Sequence, residues 1–269
     1  MLLNFSLLSY QLLVRYLQFL LHHNRSGSFP LDISRFPRNK DIYLLGTSMS
    51  ILDLTDKSFD LIRDSFSIGI NGFCFHSFVP NIYAVEFSDS YRWNSALHAQ
   101  LLTQLHNSSH ATVLLRENSS SSNYSLPKDR CLSYSILRPP NLIQPKLLNF
   151  IQLSSKTLSI FRLPLLLGFL STLDRLLYLS LYLRPTSITL VGVDLSSTSH
   201  FYESSHSVSP APSATSSQCH PTYSSDYKGT NLITILQYYK QLFRNIGVPM
   251  YVESSSSALN CILPIRSLR

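Results

Sequence analysis

The stretch Ile188-Thr189-Leu190-Val191-Gly192-Val193-Asp194 decides the fold that this sequence predicts. Its apolar residues predict a buried strand over 187–193, and the strand ends at the carboxylate of Asp194. An apolar, Leu-rich segment before it predicts a long helix over Leu163–Leu183. In open α/β sheets, ligands bind just beyond the carboxyl ends of the strands, so we expect a site at Asp194.

On both sides of this strand, apolar runs alternate with helical segments along the chain. Strands are predicted at 41–45, 66–71, 82–87, 112–115 and 248–252, and helices at 96–104 and 228–246. Residues 51–60 are expected to be a short helical or irregular segment, and the region up to Pro145 a loop punctuated by prolines. This alternation predicts an α/β fold with a Rossmann-like, mainly parallel, doubly wound sheet.

Composition restricts the classes of partner. Of the 269 residues, 44% are hydrophobic, which is enough for a full core, and the net charge of +7 favours an acidic partner such as a nucleotide-linked substrate or an anionic lipid. Lysines and arginines are scattered and are not interleaved with aromatic residues, which argues against nucleic acid. The four cysteines form no CxxC pair, so neither a zinc site nor a disulfide framework is expected. The protein is therefore expected in a reducing compartment.

The N-terminal segment 1–25 is predicted to be an apolar helix outside the catalytic domain, which we assign to residues 40–269. Arg15 interrupts the apolar run, so a membrane span is not expected, and the segment lacks the features of a signal peptide. Polar residues fall near one helical face. The helix is therefore expected either to lie on a membrane surface or to pack on the domain or on a partner subunit.

Several polar residues stand at the predicted strand ends. The turn from Gly46 to Ser50 suits approach to a phosphate or ribose, although it has neither the GxGxxG nor the Walker spacing, and a simple tight turn is an equal alternative. Asn71 can donate and accept hydrogen bonds at once, as recognition of a base or ribose requires, or it can close a turn. Glu86, Ser88 and Asp89 are interpreted as a solvated strand end in preference to a metal site.

The other candidates flank a Ser/Pro-rich loop at 196–218, whose composition predicts mobility. His220 stands between this loop and a helix, where an imidazole can act as a general base near neutral pH. A solvated loop histidine is the alternative. Tyr202 and Tyr223 carry phenol hydroxyls that can donate to phosphate oxygens.

Together these segments resemble the bacterial CMP-sialic-acid-dependent sialyltransferases of glycosyltransferase family forty-two, which cap lipooligosaccharide and capsule glycans. The family's Gly-Asn-Gly-Pro-Ser turn corresponds to Gly46–Ser50, and its nucleotide-binding Asn to Asn71. Its Gly-Ile-Asp-Phe hallmark corresponds to Gly192-Val193-Asp194-Leu195, and its Ser-Gly pair to Ser171-Thr172. The resemblance runs in order and spacing from about Asp41 to Pro264.

The resemblance implies a GT-A-like fold and an inverting sugar transfer from a CMP donor to a glycan or glycolipid, with no metal and no further cofactor. Tyr202, with Tyr223, would stabilise the leaving phosphate, and the loop 196–218 would close as a lid. His220 would act as the base, with Asp226 as the alternative in a gap-free alignment. The donor-binding residues it implies are Gly46, Thr47, Ser50, Asn71, Ser88, Ser171, Thr172, Gly192, Asp194, Tyr202 and Tyr223.

The enzyme would be cytoplasmic and peripheral to the inner face of the cell membrane, in contact with anionic lipid, and a homo-oligomer is compatible with this assignment. Three positions depart from the family pattern: Thr47 and Ser88 replace asparagines, and Ser196 replaces a tyrosine. A non-catalytic relative that binds a nucleotide or a glycan is therefore the second hypothesis. An unrelated Rossmann-type methyltransferase or oxidoreductase is the third, and the missing glycine fingerprint argues against it.

Overall fold

A computed structural model describes residues 29–87, 90–116, 124–137, 151, 165–168, 170–195, 199–203, 226–227 and 230–268. The strands are β1 (Phe29–Pro30), β2 (Ile42–Leu45), β3 (Phe66–Ile70), β4 (Ile82–Val85), β5 (Thr112–Arg116), β6 (Cys131–Leu137), β7 (Leu165–Leu167), β8 (Ile188–Val191), β9 (Asp226–Tyr227), β10 (Thr230–Asn231) and β11 (Met250–Val252). The helices are α1 (Asp56–Arg63), α2 (Tyr91–Asn107), α3 (Thr172–Leu183) and α4 (Leu232–Asn245).

Within the described residues the main sheet has nine strands. Eight follow the order β1-β6-β5-β4-β3-β2-β8-β11, and β7 also pairs with β6. Every pairing between its named strands is parallel. The chain builds one half of the sheet outward from β2 through β3 to β6, and it then returns to place β8 on the other side of β2. The order therefore reverses between β2 and β8, which is where ligands bind in open α/β sheets.

Helices cover both faces of the sheet because successive strand side chains point to opposite sides. In β2, Ile42 and Leu44 belong to the buried cluster that includes α3 and α4, whereas Tyr43 and Leu45 belong to the cluster that includes α1 and α2. Each fully buried Leu or Ile side chain contributes roughly 1.5–3 kcal/mol to folding. The predicted α/β, parallel, doubly wound fold is confirmed.

Three predicted elements were wrong in part. The predicted helix over 163–183 is a short strand, β7, followed by a helix that begins only at Thr172, and an apolar run alone does not separate these two structures. The region before Pro145, predicted to be a loop, contains the strand β6. Its serines at alternate positions concealed the strand pattern, although Ser133 is buried in the sheet.

The predicted helix over 228–246 begins later, at Leu232, after a two-stranded hairpin formed by β9 and β10. Asn231 caps this helix, since its side chain accepts a hydrogen bond from the backbone N–H of Thr234 at 2.9 Å. No helix within the described part of the chain combines the length and the hydropathy that a membrane crossing requires. The helix predicted at 1–25 lies outside the described residues.

Candidate active site

A cavity of about 340 Å³ opens where the carboxyl ends of β2, β3, β4 and β8 meet the N-termini of α3 and α4. This is the reversal point of the strand order. Its lining residues are Gly46, Thr47, Ser48, Ile70, Asn71, Gly72, Glu86, Trp93, Ser171, Thr172, Leu173, Gly192, Val193, Leu195, His200, Tyr202 and Leu232. Seven residues that the sequence marked for donor binding are among them: Gly46, Thr47, Asn71, Ser171, Thr172, Gly192 and Tyr202.

Two glycines allow the turns after β2 and β8 to touch. The backbone N–H of Gly46 donates to Val191 O at 2.7 Å, and that of Ser48 donates to Gly192 O at 2.9 Å. A Cβ atom at Gly46 would lie 2.2 Å from Gly192 O, so no side chain fits there. Gly192 itself has a φ of +62°, a conformation that favours glycine. The floor of the cavity is therefore bare backbone, which a ligand can approach closely.

Asn71 follows β3 with a φ of +47°, a left-handed conformation that asparagine tolerates better than most residues. Its Oδ1 accepts a hydrogen bond from the backbone N–H of Glu86, at 3.1 Å, which ties the end of β3 to the end of β4. Among the described residues, this side chain makes no further hydrogen bond. Its Nδ2 group is therefore the atom that can donate to a ligand in the cavity.

The N-terminus of α3 also faces the cavity. Ser171 caps the helix in a capping box with Asp174, in which the Ser171 hydroxyl accepts from the Asp174 N–H at 3.3 Å and donates to Asp174 Oδ1 at 2.9 Å. Thr172 is the next residue of the lining. The first turn of a helix favours negative charge, so this end of the cavity suits an anionic group.

Glu86 differs from its sequence interpretation as part of a solvated strand end. Its carboxylate accepts a hydrogen bond from Arg175 Nη1 at 2.6 Å and one from Thr172 Oγ1 at 3.3 Å, and it also forms an ion pair with Arg116. Its side chain is 22% exposed. The interpretation failed because both arginines come from elements distant in sequence, β5 and α3.

Ser50 and Asp194 lie behind the lining, so the structure gives both of them a supporting position. The Ser50 hydroxyl donates to Asp194 Oδ1 at 2.7 Å, and the backbone N–H of Asp194 donates to Ser48 Oγ at 3.1 Å. Burial raises the pKa of Asp194, although the hydrogen bond from Ser50 acts in the opposite direction. This pair fixes the two turns against each other beneath the ligand space.

His200 is a lining residue that the sequence reasoning missed. Its Nδ1 lies 2.8 Å from the Thr47 hydroxyl, and its ring stacks on Tyr202 with a centroid separation of 5.2 Å and an interplanar angle of 5°. The backbone N–H of Phe201 donates to Thr47 O at 3.0 Å, so the segment 199–203 is docked on the β2 turn. A signal was present in Ser-His-Phe-Tyr, but these residues were interpreted as part of a mobile lid.

Burial controls the protonation of both rings. It lowers the pKa of His200, although the Glu203 carboxylate acts in the opposite direction, so the imidazole is neutral near pH 7. Burial also raises the pKa of Tyr202, which keeps its phenol protonated and able to donate. Gly72 lets the Tyr202 ring come this close, because a Cβ atom there would lie 2.4 Å from Tyr202 Cε1.

Other predicted site residues lie outside the described part of the chain, namely Ser88, His220 and Tyr223, and so does Ser196, one of the three departures from the family pattern. Of the predicted lid at 196–218, only residues 199–203 are described. For Asp226 the structure describes the backbone, which belongs to β9, but not the side chain. Among the described residues, no group of three or more His, Cys, Asp or Glu side chains is arranged to hold a metal ion.

No protein-family model matches the chain, and no curated protein sequence matches it. Similar solved structures include the sialyltransferase CstII from Campylobacter jejuni in complex with the substrate analogue CMP-3FNeuAc, at 14% identity and a TM-score of 0.45, over 85% of this chain and 87% of that one. The monofunctional α-2,3-sialyltransferase Cst-I from Campylobacter jejuni is similar at 13% identity and a TM-score of 0.47, over 84% of this chain and 80% of that one. These values are too low to assign a function or residue roles to this chain.

Proposed function

We propose that this chain is a glycosyltransferase of the sialyltransferase type, which transfers a sialic-acid-type sugar from a CMP donor to a glycan or glycolipid by an inverting mechanism without a metal ion. One observation carries the proposal. Residues that the sequence resemblance marked for donor binding line one cavity at the reversal point of the sheet. They follow the ends of β2, β3 and β8, stand at the N-terminus of α3, or belong to the segment 199–203.

The lining suits a nucleotide attached to a sugar. Asn71 offers an amide donor, Ser171 and Thr172 present the N-terminus of α3, and the Gly46 turn offers bare backbone. Trp93 and Tyr202 add aromatic surface to the same wall, with ring centroids 5.6 Å apart. Hydrogen-bonding groups on a partly apolar wall are what recognition of a base, a ribose and a sugar requires.

The proposed reaction is a single displacement. The acceptor hydroxyl oxygen forms a bond to the anomeric carbon, and the bond from that carbon to the phosphate oxygen breaks with its electron pair leaving on CMP. A base takes the proton of the acceptor hydroxyl. Tyr202 stays protonated and donates to the leaving phosphate, which stabilises the charge that develops there.

For the base we retain the two sequence candidates, His220 and Asp226. The hairpin that contains Asp226 leads directly into α4, whose first residue, Leu232, lines the cavity. We expect one of two variants, His220→Ala or Asp226→Asn, to lower turnover strongly, and the other to leave it unchanged. Equal turnover in the unmodified protein and in both variants contradicts both assignments.

We further propose that the acceptor is presented at the inner face of the cell membrane, with the net charge of +7 and the segment 1–25 holding the protein on anionic lipid. Sedimentation with vesicles that contain anionic lipid tests this part separately. We expect the full chain to sediment with them at low salt and to be released at high salt. Loss of residues 1–25 without any change in sedimentation contradicts a role for that segment.

Nucleotide selectivity tests the site itself. In a thermal-shift screen of CMP, CDP, UDP, GDP and S-adenosylmethionine, cytidine nucleotides should raise the melting temperature most. Exchange of Asn71 for Asp retains the acceptor for Glu86 N–H but replaces the donor with a negative charge. This exchange should lower CMP affinity roughly tenfold or more. Stabilisation by S-adenosylmethionine alone would instead favour a methyltransferase.

A further inference from the structure

The charge of the cavity lining does not match the charge of the proposed donor. Glu86 is acidic and lines the cavity, and Arg175 and Arg116, which bind its carboxylate, are not part of the lining. No lysine or arginine is found among the described residues that form the wall. Among the described residues that line the cavity, His200 is the one whose side chain can become a cation.

His200 is also held in a fixed position. The Thr47 hydroxyl fixes Nδ1, Tyr202 supports one face of the ring, and the carboxylate of Glu203 accepts a hydrogen bond from the backbone N–H of His200 at 3.2 Å. A ring fixed in this way need not be ordered when a ligand binds, and pre-organisation of this kind strengthens electrostatic recognition.

We propose that His200 neutralises the bound phosphate by taking up a proton from solvent as the nucleotide binds, and that it then donates a hydrogen bond to the phosphate. This proposal rests on the proposed function and names a residue that the sequence did not assign. Nδ1–H donates to Thr47 Oγ1 in the protonated ring, and we assign the hydrogen bond to the phosphate to Nε2–H. The same cation stabilises the electron pair that CMP carries away when the glycosidic bond breaks.

The groups that face His200 determine the direction of the pH dependence. Glu203 and Tyr202 come from its own segment, and Thr47 comes from the β2 turn. Glu86 lies elsewhere in the lining, and the two arginines that bind its carboxylate lie outside the lining. In the empty site burial lowers the pKa of His200, and a bound phosphate raises it. CMP affinity is therefore expected to fall as the pH rises through the His200 pKa of the complex.

Calorimetric titration of the full chain with CMP and with cytidine tests the proposal, because cytidine lacks the phosphate. We expect His200→Ala to weaken CMP binding roughly tenfold or more. Cytidine binding should stay unchanged, and so should both ligands in the matched control His106→Ala, at an exposed position near the end of α2. Equal loss of CMP and cytidine affinity overturns the proposal, since His200 would then act on the base or on the fold.

His200→Gln separates protonation from hydrogen bonding, because an amide can donate but does not titrate. Titration in buffers with different heats of ionisation measures the protons taken up with CMP, and the phosphate's own titration is common to both proteins. We expect the unmodified protein to take up more protons than the His200→Gln variant. Equal uptake contradicts the proposal. If the unmodified protein binds neither CMP nor cytidine, the proposed function itself is wrong, and this inference fails with it.

Discussion

Asp194 is a buried residue whose main-chain and side-chain atoms join three segments around the cavity. Its carboxylate accepts from Ser50, its N–H donates to Ser48, and its carbonyl oxygen accepts from the N–H of Ala258 at 2.7 Å. The site is thus linked to the C-terminal segment as well as to the β2 turn. A carboxylate in such a position fixes geometry, and it does so at an electrostatic cost because it is 6% exposed.

This cost predicts an unusual pH dependence. The folded-state pKa of Asp194 is raised, so ionisation of this carboxyl disfavours the folded state, with the full penalty above the folded pKa. The penalty declines as the pH falls through the folded pKa and is gone below the unfolded pKa. Asp194→Asn keeps an oxygen that can accept from Ser50. We therefore expect this variant to melt at a higher temperature than the unmodified protein at pH 7, with a difference that narrows as the pH is lowered.

Melting curves from pH 7 downward provide this measurement. Asp60→Asn is the matched control, because Asp60 is an exposed carboxylate on α1 that pairs with Arg63 at the surface. A lower melting temperature for Asp194→Asn at every pH would show that the charge of Asp194 stabilises the fold.

Single residues also show which members of the candidate site can be predicted from the sequence and which cannot. Asn71 and Tyr202 were predicted for the site because each stands beside a recognisable strand end or motif. His200 was missed because its role depends on a contact with Thr47, 153 positions earlier in the chain. Local composition carries no information about such a contact.

At the scale of elements, the turn after β2 and the turn before β11 each require a glycine, for different reasons. Gly46 has no space for a side chain, whereas Gly247, at the turn before β11, has a φ of +77° but open space around it. Replacement of each by alanine separates steric overlap from backbone strain. Gly46→Ala should lower the free energy of unfolding by about 3 kcal/mol or more, and Gly247→Ala by only about 1–2 kcal/mol.

Urea unfolding of the two variants measures these differences. CMP affinity adds a second measurement, since Gly46→Ala displaces the floor of the cavity and Gly247→Ala does not touch it. If Gly46→Ala lowered the free energy of unfolding less than Gly247→Ala, the close contact between the turns after β2 and β8 would be contradicted.

The helix caps offer a second matched pair. Ser171 caps α3 at the cavity and Thr55 caps α1 away from it, and each forms a capping box. Loss of either hydroxyl should cost about 1 kcal/mol of stability. Only Ser171→Ala is expected to weaken CMP binding as well.

Denaturant unfolding with CMP titration of both variants tests this expectation. Equal CMP affinity in Ser171→Ala and Thr55→Ala would remove the α3 N-terminus from the binding site.

Elements were predicted well where the sequence pattern was local. The strands β2, β3, β4, β5, β8 and β11 were expected within a few residues of their observed bounds. The strands β6 and β7 were missed because serines that alternate with apolar residues, and a short leucine run, are each compatible with more than one structure. The pairing of β6 with β5 and with β7 is decided by tertiary contacts.

At the scale of the whole molecule, the strand order creates the site. Because β8 returns to the free side of β2, the turn after β2 meets the turn after β8 at the carboxyl edge of the sheet. The sequence predicted a ligand site at this edge, because the carboxyl ends of a parallel α/β sheet meet at one edge. The parallel sheet is confirmed, and the ligand site stays a prediction. The sequence did not predict the ion pairs of Glu86 or the docking of residues 199–203, which depend on the assembled fold.

Release of CMP from CMP-sialic acid tests the central claim most directly. The purified full chain is incubated with this donor and a lactose-terminated glycan in EDTA, and both the freed CMP and the anomeric configuration of the product are measured. We predict that CMP is released in equal amount to the glycan product, with inversion at the anomeric carbon. The rate of CMP release should fall at least roughly 100-fold in a Tyr202→Phe, His200→Ala double variant. Intact CMP-sialic acid, in a preparation that binds CMP, would contradict catalysis and leave a nucleotide-binding protein.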